Sequence, residues 1–377
     1  MCSYEFPPLG GGGAPVAADI VDALADLGHE VDVVTMGFRG LARREQPRPG
    51  VRIFRVPSWR RHRHICSTKE MATYLLPALW QALALHRRRR YDVCHCHFIF
   101  PTGVVGWLLN RLTGLPYVLS PHGSDVPGFN PDRFRVEHVM LRPLWLAVVR
   151  RAAAFCFATR YLRDLFLRAA PGNWRIDIIP HALSLDDFPQ TRHDPRVLFS
   201  GRLLPRKGAQ VLLEALEDVE MPGWQVHIVG DGPMRAEVER RARRMKIPTF
   251  VHGWLDRTSD TMRELWGSAS ILAFPSLMEN FSMTLLEAMA CGMAVVAVRA
   301  GGTPDAVGEA GVLVEPGDVA GLREALLALM RDETRRRELG AAARRRVREM
   351  CARERVARMH EALLASVAGG RGEGTGT

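Results

Sequence analysis

The sequence predicts an α/β protein made of two doubly wound halves, each a parallel sheet flanked by helices. Three observations carry this. The chain has 377 residues, room for two domains of about 100–200 residues each. Short β-branched runs alternate with amphipathic helical stretches, the grammar of βαβ units. The alternation restarts after Pro180–Pro195, an aperiodic stretch with three prolines that reads as the linker.

Met1–Tyr4 reads as the last part of a first strand, leading into the Pro7-Pro8 loop. A first strand usually runs to about five or six residues. Either the start falls a few residues inside that strand, or the sheet accepts a short one. Further strands are expected at Val31–Thr35, Val51–Val56, Asp92–His97, Tyr117–Ser120, Phe155–Ala158 and Ile176–Ile179. In the second half they are Val197–Ser200, Gln225–Val229, Thr249–His252, Ile271–Phe274, Ala294–Val298 and Val312–Val314. An Arg-rich helical pattern follows Asp332 to about Val367, and the glycine-rich tail from Gly369 reads as disordered.

Composition narrows the function. Hydrophobic residues make up 47% and charged residues 24%, so a packed core is expected and wholesale disorder is excluded. The net charge is +10, and 48 of the 51 cations are arginine, in keeping with a GC-rich genome. Residues 1–190 carry 24 cations against 16 anions, so the surplus belongs mainly to the first half. Met1 opens no charged-then-apolar leader, and no run approaches the roughly 20 apolar residues of a membrane span. Seven scattered cysteines suit a reducing cytoplasm. In Cys94-His95-Cys96-His97, strand alternation sends two side chains to each face, which argues against a metal site there.

Several turns carry candidate chemistry. Gly10–Gly13 follows the first strand and precedes a helix near Ala14-Pro15, where bare backbone and a helix N-terminus can meet an anion. A flexible turn is the competing reading, and Pro15 spoils any dinucleotide fingerprint. Gly230-Asp231-Gly232-Pro233 fails the same test and reads as a turn with Pro233 at the first helical position. His122, in Pro121-His122-Gly123-Ser124-Asp125, stands just past a strand's carboxyl end, where ligands sit in open α/β sheets; a turn histidine bonded to its own loop fits equally. Arg202 and Lys207 follow the first strand of the second half and suit a diphosphate, or are solvated charges. Glu279 and Glu287 frame the stretch Pro275–Gly292: the first in a loop, the second in the first turn of the next helix. Thr284-Leu285-Leu286-Glu287 also fits a capping box.

These pieces, in this order, resemble the family 4 retaining glycosyltransferases of the GT-B fold (glycosyltransferase group 1). The matching residues are Pro7-Pro8-Leu9-Gly10-Gly11, Gly28-His29-Glu30-Val31, His122-Gly123-Ser124-Asp125, Gly201-Arg202 with Lys207-Gly208, Gly230-Asp231-Gly232-Pro233, His252-Gly253 and the Glu279-to-Glu287 stretch. The resemblance implies two Rossmann-like domains facing across a cleft: 1–188 for the acceptor, 189–345 for a nucleotide-sugar donor. It implies a closing helix, 346–367, that returns to the first domain, and a tail, 368–377. It implies that Arg202 and Lys207 hold the diphosphate, that Glu287 contacts the ribose and that Glu279 contacts the transferred sugar. Phe281, Ser282, Met283 and Thr284 would complete the donor site, His122 would attend the donor sugar, and Gly11, Gly12 and Gly13 would close on phosphates and acceptor. Two departures stand out. Asn280-Phe281-Ser282 replaces the family's Gly-Phe-Gly, and Pro180-His181-Ala182-Leu183-Ser184 replaces Pro-Asn-Gly-Val-Asp.

The expectation is therefore transfer of a sugar from a UDP- or GDP-sugar to a lipid-linked or saccharide acceptor, with retention. No D-x-D sequence occurs, so no metal cofactor is expected. A nucleotide-sugar 2-epimerase and a non-catalytic relative are the alternatives. No Walker loop, G-x-S-x-G or H-E-x-x-H occurs, and no nucleic-acid module accompanies the high charge. The expected location is cytoplasmic. An anionic membrane surface is a further partner, from Trp80 and the apolar residues of Met71–His86, flanked by Arg60–His64 and Arg87–Arg90. A core-packed helix is the rival for that stretch, although Pro77 argues against a continuous helix.

Overall fold

The computed structural model describes residues 1–130, 135–256 and 259–369. The chain divides into two compact units, Met1–Ala182 with Arg353–Thr377, and Leu183–Ala352. The sequence had suggested divisions at 188 and 346. All of the expected tail beyond Gly369 lies outside the described residues.

The first unit contains α1 (Gly13–Asp26), β1 (Val31–Met36), β2 (Arg44–Arg48), β3 (Val51–Val56), α2 (Thr68–Arg89), β4 (Cys94–His97), α3 (Val104–Thr113), β5 (Tyr117–Ser120), α4 (Arg135–Met140), α5 (Arg142–Arg151), β6 (Ala154–Phe157), α6 (Arg160–Ala169) and β7 (Ile176–Ile178). Its strands run β2-β3-β1 and β4-β5-β6-β7. Cys2 joins the two groups through parallel bridges to Val34 of β1 and Cys96 of β4. Met1–Tyr4 thus occupies the central place in the sheet as a short strand. The sequence reading missed β2, an antiparallel edge strand with no buried residue, because Arg-Glu-Gln-Pro-Arg has no β-branched residue.

α2 runs unbroken through Pro77, against the sequence expectation. Tertiary contacts override the missing N–H. Ser67 and Glu70 close a reciprocal capping box at the start, Tyr74, Ala78, Ala82 and Leu85 are buried, and Tyr74 Oη donates to Val34 O at 2.9 Å.

The second unit contains β8 (Asp194–Ser200), α7 (Ala209–Leu216), β9 (Gln225–Val229), α8 (Arg235–Ala242), β10 (Thr249–Gly253), α9 (Asp260–Ser268), β11 (Ala269–Phe274), α10 (Met283–Cys291), β12 (Ala294–Val298), α11 (Thr303–Val307), β13 (Val312–Val314), α12 (Val319–Arg331) and α13 (Glu333–Cys351). Its six strands are parallel, in the order β10-β9-β8-β11-β12-β13. β11 and β12 are buried throughout, as strands covered on both faces must be. The order reverses between β8 and β11, and that switch point is where an open α/β sheet binds its ligand.

Pro233 does not begin α8. Met234 N donates to Leu203 O at 3.1 Å and Arg235 N to Gly232 O at 3.0 Å, so Pro233 stays in a turn tied to the loop after β8. The last helix, α14 (Arg353–Gly369), belongs to the first unit. It packs on α1 and β5, burying Val356, Leu363 and Val367 with Val118, Cys156 and Ile179.

Candidate active site

In the second unit, the loops that leave β8 and β11 meet at the switch point. Lys207 Nζ is paired with Glu279 Oε1, and Ser276 Oγ donates to that same oxygen at 2.7 Å. Leu277 N donates to Arg206 O at 2.8 Å, which ties the two loops along their backbones. Arg202, on the β8 loop, is exposed. Close packing requires the glycines here. A Cβ on Gly230, at φ +142°, would collide with Gly201 O, and one on Gly232 would lie 2.5 Å from Leu203 O. Gly301, at φ +58°, lets the turn after β12 press on the Glu279 backbone, and Gly302 N donates to Glu279 O at 2.8 Å. Three turns therefore fix one carboxylate.

The capping-box expectation for Thr284–Glu287 is overturned. Leu286 N donates to Ser282 O at 3.1 Å, so Ser282 is the N-cap of α10 and no side chain caps the helix. Glu287 consequently sits in the second turn and is buried. Burial, with the Glu287 charge nearby, pushes the Cys291 thiol up to about 12. Phe281 is buried, while Ser282, Met283 and Thr284 are half-buried at the helix N-terminus, whose first N–H groups favour an anion.

In the first unit, Gly11, Gly12 and Gly13 follow the central strand. A Cβ on Gly11 or Gly12 would meet nothing within 4 Å, whereas one on Gly13 would come within 2.8 Å of the Phe98 ring and 3.3 Å of His122 Nδ1. Glu5 Oε2 accepts Gly11 N at 3.0 Å. His122 stands at the carboxyl end of β5. Asp125 folds its turn by accepting His122 N at 3.0 Å and Gly123 N at 2.9 Å on one oxygen, and Ile99 N at 2.8 Å on the other. His122 Nε2 lies 3.0 Å from His97 Nδ1. Burial, then the nearby His181, pushes His122 down to about 3, so its ring is neutral near pH 7.

Strand alternation in β4 holds as expected, but each face gains partners that the sequence did not reveal. His95 and His97 join His122, His181 and His360 on one side. Cys94 and Cys96 meet Cys2 on the other, with their three Sγ atoms within 4.8 Å of one another. Asp125, His97 and Ser276 are the site residues to which the sequence reading gave no role. Asp125 had a signal, being a lone acid three residues after His122. The other two had none, because their partners are distant in sequence.

Two sheets of this winding are the architecture of the GT-B fold. The comparisons agree. Residues 11–182 match the glycosyl transferase 4-like domain and residues 194–332 match glycosyl transferases group 1. A 2-deoxystreptamine N-acetyl-D-glucosaminyltransferase from Streptomyces fradiae is 30% identical, over 90% of this chain and 87% of its own. The sucrose-phosphate synthase of Thermosynechococcus elongatus has the same fold, with a TM-score of 0.80 at 22% identity, over 96% of this chain and 94% of its own. So does HepE of Anabaena in complex with UDP-glucose, at 0.74 and 17%, over 97% and 98%. The chain belongs to the group 1, family 4-like glycosyltransferases. The epimerase alternative finds no support among these relatives.

Proposed function

We propose that the protein transfers a glycosyl group from a UDP- or GDP-sugar to a hydroxyl of a saccharide or lipid-linked acceptor, with retention of configuration. One observation carries this reading: Glu279, Lys207 and Ser276 share a hydrogen-bonded cluster at the β8/β11 switch point. The binding of UDP-glucose by a neighbour of the same fold supports a nucleotide-sugar donor.

The chemistry asks for positive groups near the leaving diphosphate and polar groups around the sugar. Arg202, Lys207 and the N-terminus of α10 supply the first. Glu279 accepts from sugar hydroxyls and Glu287 from the ribose. The bond from the anomeric carbon to the diphosphate breaks, and the diphosphate leaves with the electron pair. The acceptor oxygen bonds that carbon on the same face, and its proton passes to the leaving oxygen.

A thermal-shift series with UDP, GDP and ADP tests the reading, since a ligand stabilises by RT ln(1 + [L]/Kd). UDP or GDP should raise Tm and Lys207→Ala should remove the rise; no shift with any nucleotide would overturn it. NMR of the product's anomeric proton decides retention.

A second reading concerns lipid. Among the described residues no helix is long and apolar enough to cross a membrane. Yet α2 exposes Leu76 and Trp80, 67% and 68% accessible, on the side away from its buried face, and it ends in Arg87–Arg90. An anionic bilayer surface matches that combination. Co-sedimentation with anionic vesicles, lost in Trp80→Ala, tests it.

A further inference from the structure

At the carboxyl ends of β1 and β3 the first unit has an open pocket of about 440 Å³. Of the twelve described residues that line it, five are arginine and none is acidic. Two of the five belong to the wall. Arg60 is fully buried at its side chain, donating from Nε to His62 O at 2.9 Å and from Nη2 to Arg63 O at 3.0 Å, with Glu5 3.8 Å away. Arg55 has a side chain only 2% exposed and donates to Glu45 from Nε at 2.9 Å and to Pro7 O from Nη2 at 2.7 Å. Its Nη1 is buried with no partner. A buried guanidinium N–H left unpaired is costly, and its natural complement is an anionic oxygen.

The other three arginines, Arg39, Arg43 and Arg61, are exposed, and among the described residues their guanidinium groups form no salt bridge; only the backbone N–H of Arg61 meets an acid, donating to Glu70 Oε1 at 2.7 Å. Arg61 stacks over Trp59 at 4.8 Å, which orders it. Glu45 offsets Arg55 and Glu5 offsets Arg60, so Arg39, Arg43 and Arg61 remain unbalanced. A single carboxylate would answer one such charge. A phosphate carries nearly two charges and three acceptor oxygens, which several guanidinium forks can share.

The pocket also adjoins the glycine run. The Arg63 carbonyl that accepts Arg60 Nη2 also accepts Gly10 N at 2.8 Å. Glu5, beside Arg60, holds Gly11 N. A molecule with its anion among the arginines can therefore extend toward Gly11–Gly13.

We propose that this pocket binds a phosphate group carried by the acceptor, so that the acceptor is a phosphorylated molecule glycosylated at a hydroxyl some way from its phosphate. This rests on the transferase reading above, and the phosphate takes no part in the bond changes. A lipid headgroup and a soluble sugar or polyol phosphate offer the same chemistry.

The test uses the full chain, with inorganic phosphate titrated by calorimetry at saturating UDP and without UDP. Wild type should bind phosphate, and the double variant Arg39→Gln/Arg43→Gln should bind it at least tenfold more weakly. UDP thermal shifts on the same samples report the donor reading separately. If UDP binds but phosphate does not, or binds both proteins equally, the inference falls and the transferase reading stands. If UDP and GDP fail to bind, the transferase reading falls, and the acceptor assignment falls with it. Vesicles of phosphatidylcholine with phosphatidic acid, against phosphatidylcholine alone, identify the source. Arginine-dependent capture by the phosphatidic acid vesicles points to a headgroup, and phosphate binding without capture points to a soluble acceptor.

Discussion

Glu279 holds two donors on one oxygen, the Lys207 ammonium and the Ser276 hydroxyl. The lysine comes from the loop after β8 and the glutamate from the loop after β11, 72 residues away in sequence. Each orders the other, so the site presents a preset charge pattern and not two loose side chains.

Removing either partner should therefore cost rate before fold. Lys207→Ala and Glu279→Ala should each lower kcat/KM for the nucleotide-sugar by about 10²–10³, the equivalent of about 2.7–4 kcal/mol. Circular dichroism should stay native. Near-normal turnover in both variants would remove them from the site.

The glycines separate two kinds of damage. Gly301→Ala forces a Cβ onto the Glu279 carbonyl at a positive φ, so it should lower both Tm and activity. Gly12→Ala meets open space, and Gly12 has an ordinary helical φ of −62°. Its Tm should match wild type, while transfer falls if a ligand needs the bare backbone. Steady-state kinetics beside calorimetric melts distinguish the two.

His122, held near 3 by burial, is neutral across the working range. The pH profile of kcat should show no inflection near 6.5 that disappears in His122→Gln. Such an inflection would mean that the ring carries a proton at neutral pH and acts as an acid.

The buried histidines also set an acid limit on stability. Burial holds His360 at about 3, against about 6.5 in an unfolded chain. Between those values the unfolded state binds a proton that the folded state does not, so stability falls as pH drops below 6.5 and the loss ends near 3. Each such histidine is worth about 1.4 kcal/mol per pH unit in that window. His95 and His97 are displaced in the same direction, chiefly by burial. Denaturant unfolding at pH 7.5, 6 and 5 should show a steep decline, shallower in His360→Leu. A flat profile would contradict the neutral-histidine interior.

How much of this was legible in the sequence depends on the range of the cause. All twelve predicted strands after Met1–Tyr4 appear within a few residues, because buried parallel strands write themselves as local β-branched runs. Pro77 misled, since the burial of Tyr74 and Ala78 outweighs one absent hydrogen bond. The cap of α10 misled as well: Thr284-to-Glu287 has the right spacing, but the turn at Ser282 starts the helix earlier. Lys207 and Glu279 were each visible as residues. Their contact was not, nor was the gathering of five histidines from β4, the loops after β5 and β7, and α14.

The return of α14 bears on how the chain is made. A ribosome delivers Met1–Ala182 first, yet Val118, Cys156 and Ile179 find Val356, Leu363 and Val367 only when the final helix emerges. The second unit, contiguous from Leu183 to Ala352, can close while the first still waits with an uncovered apolar strip. Of the two units, the one whose larger part is synthesised first is thus the last to be finished.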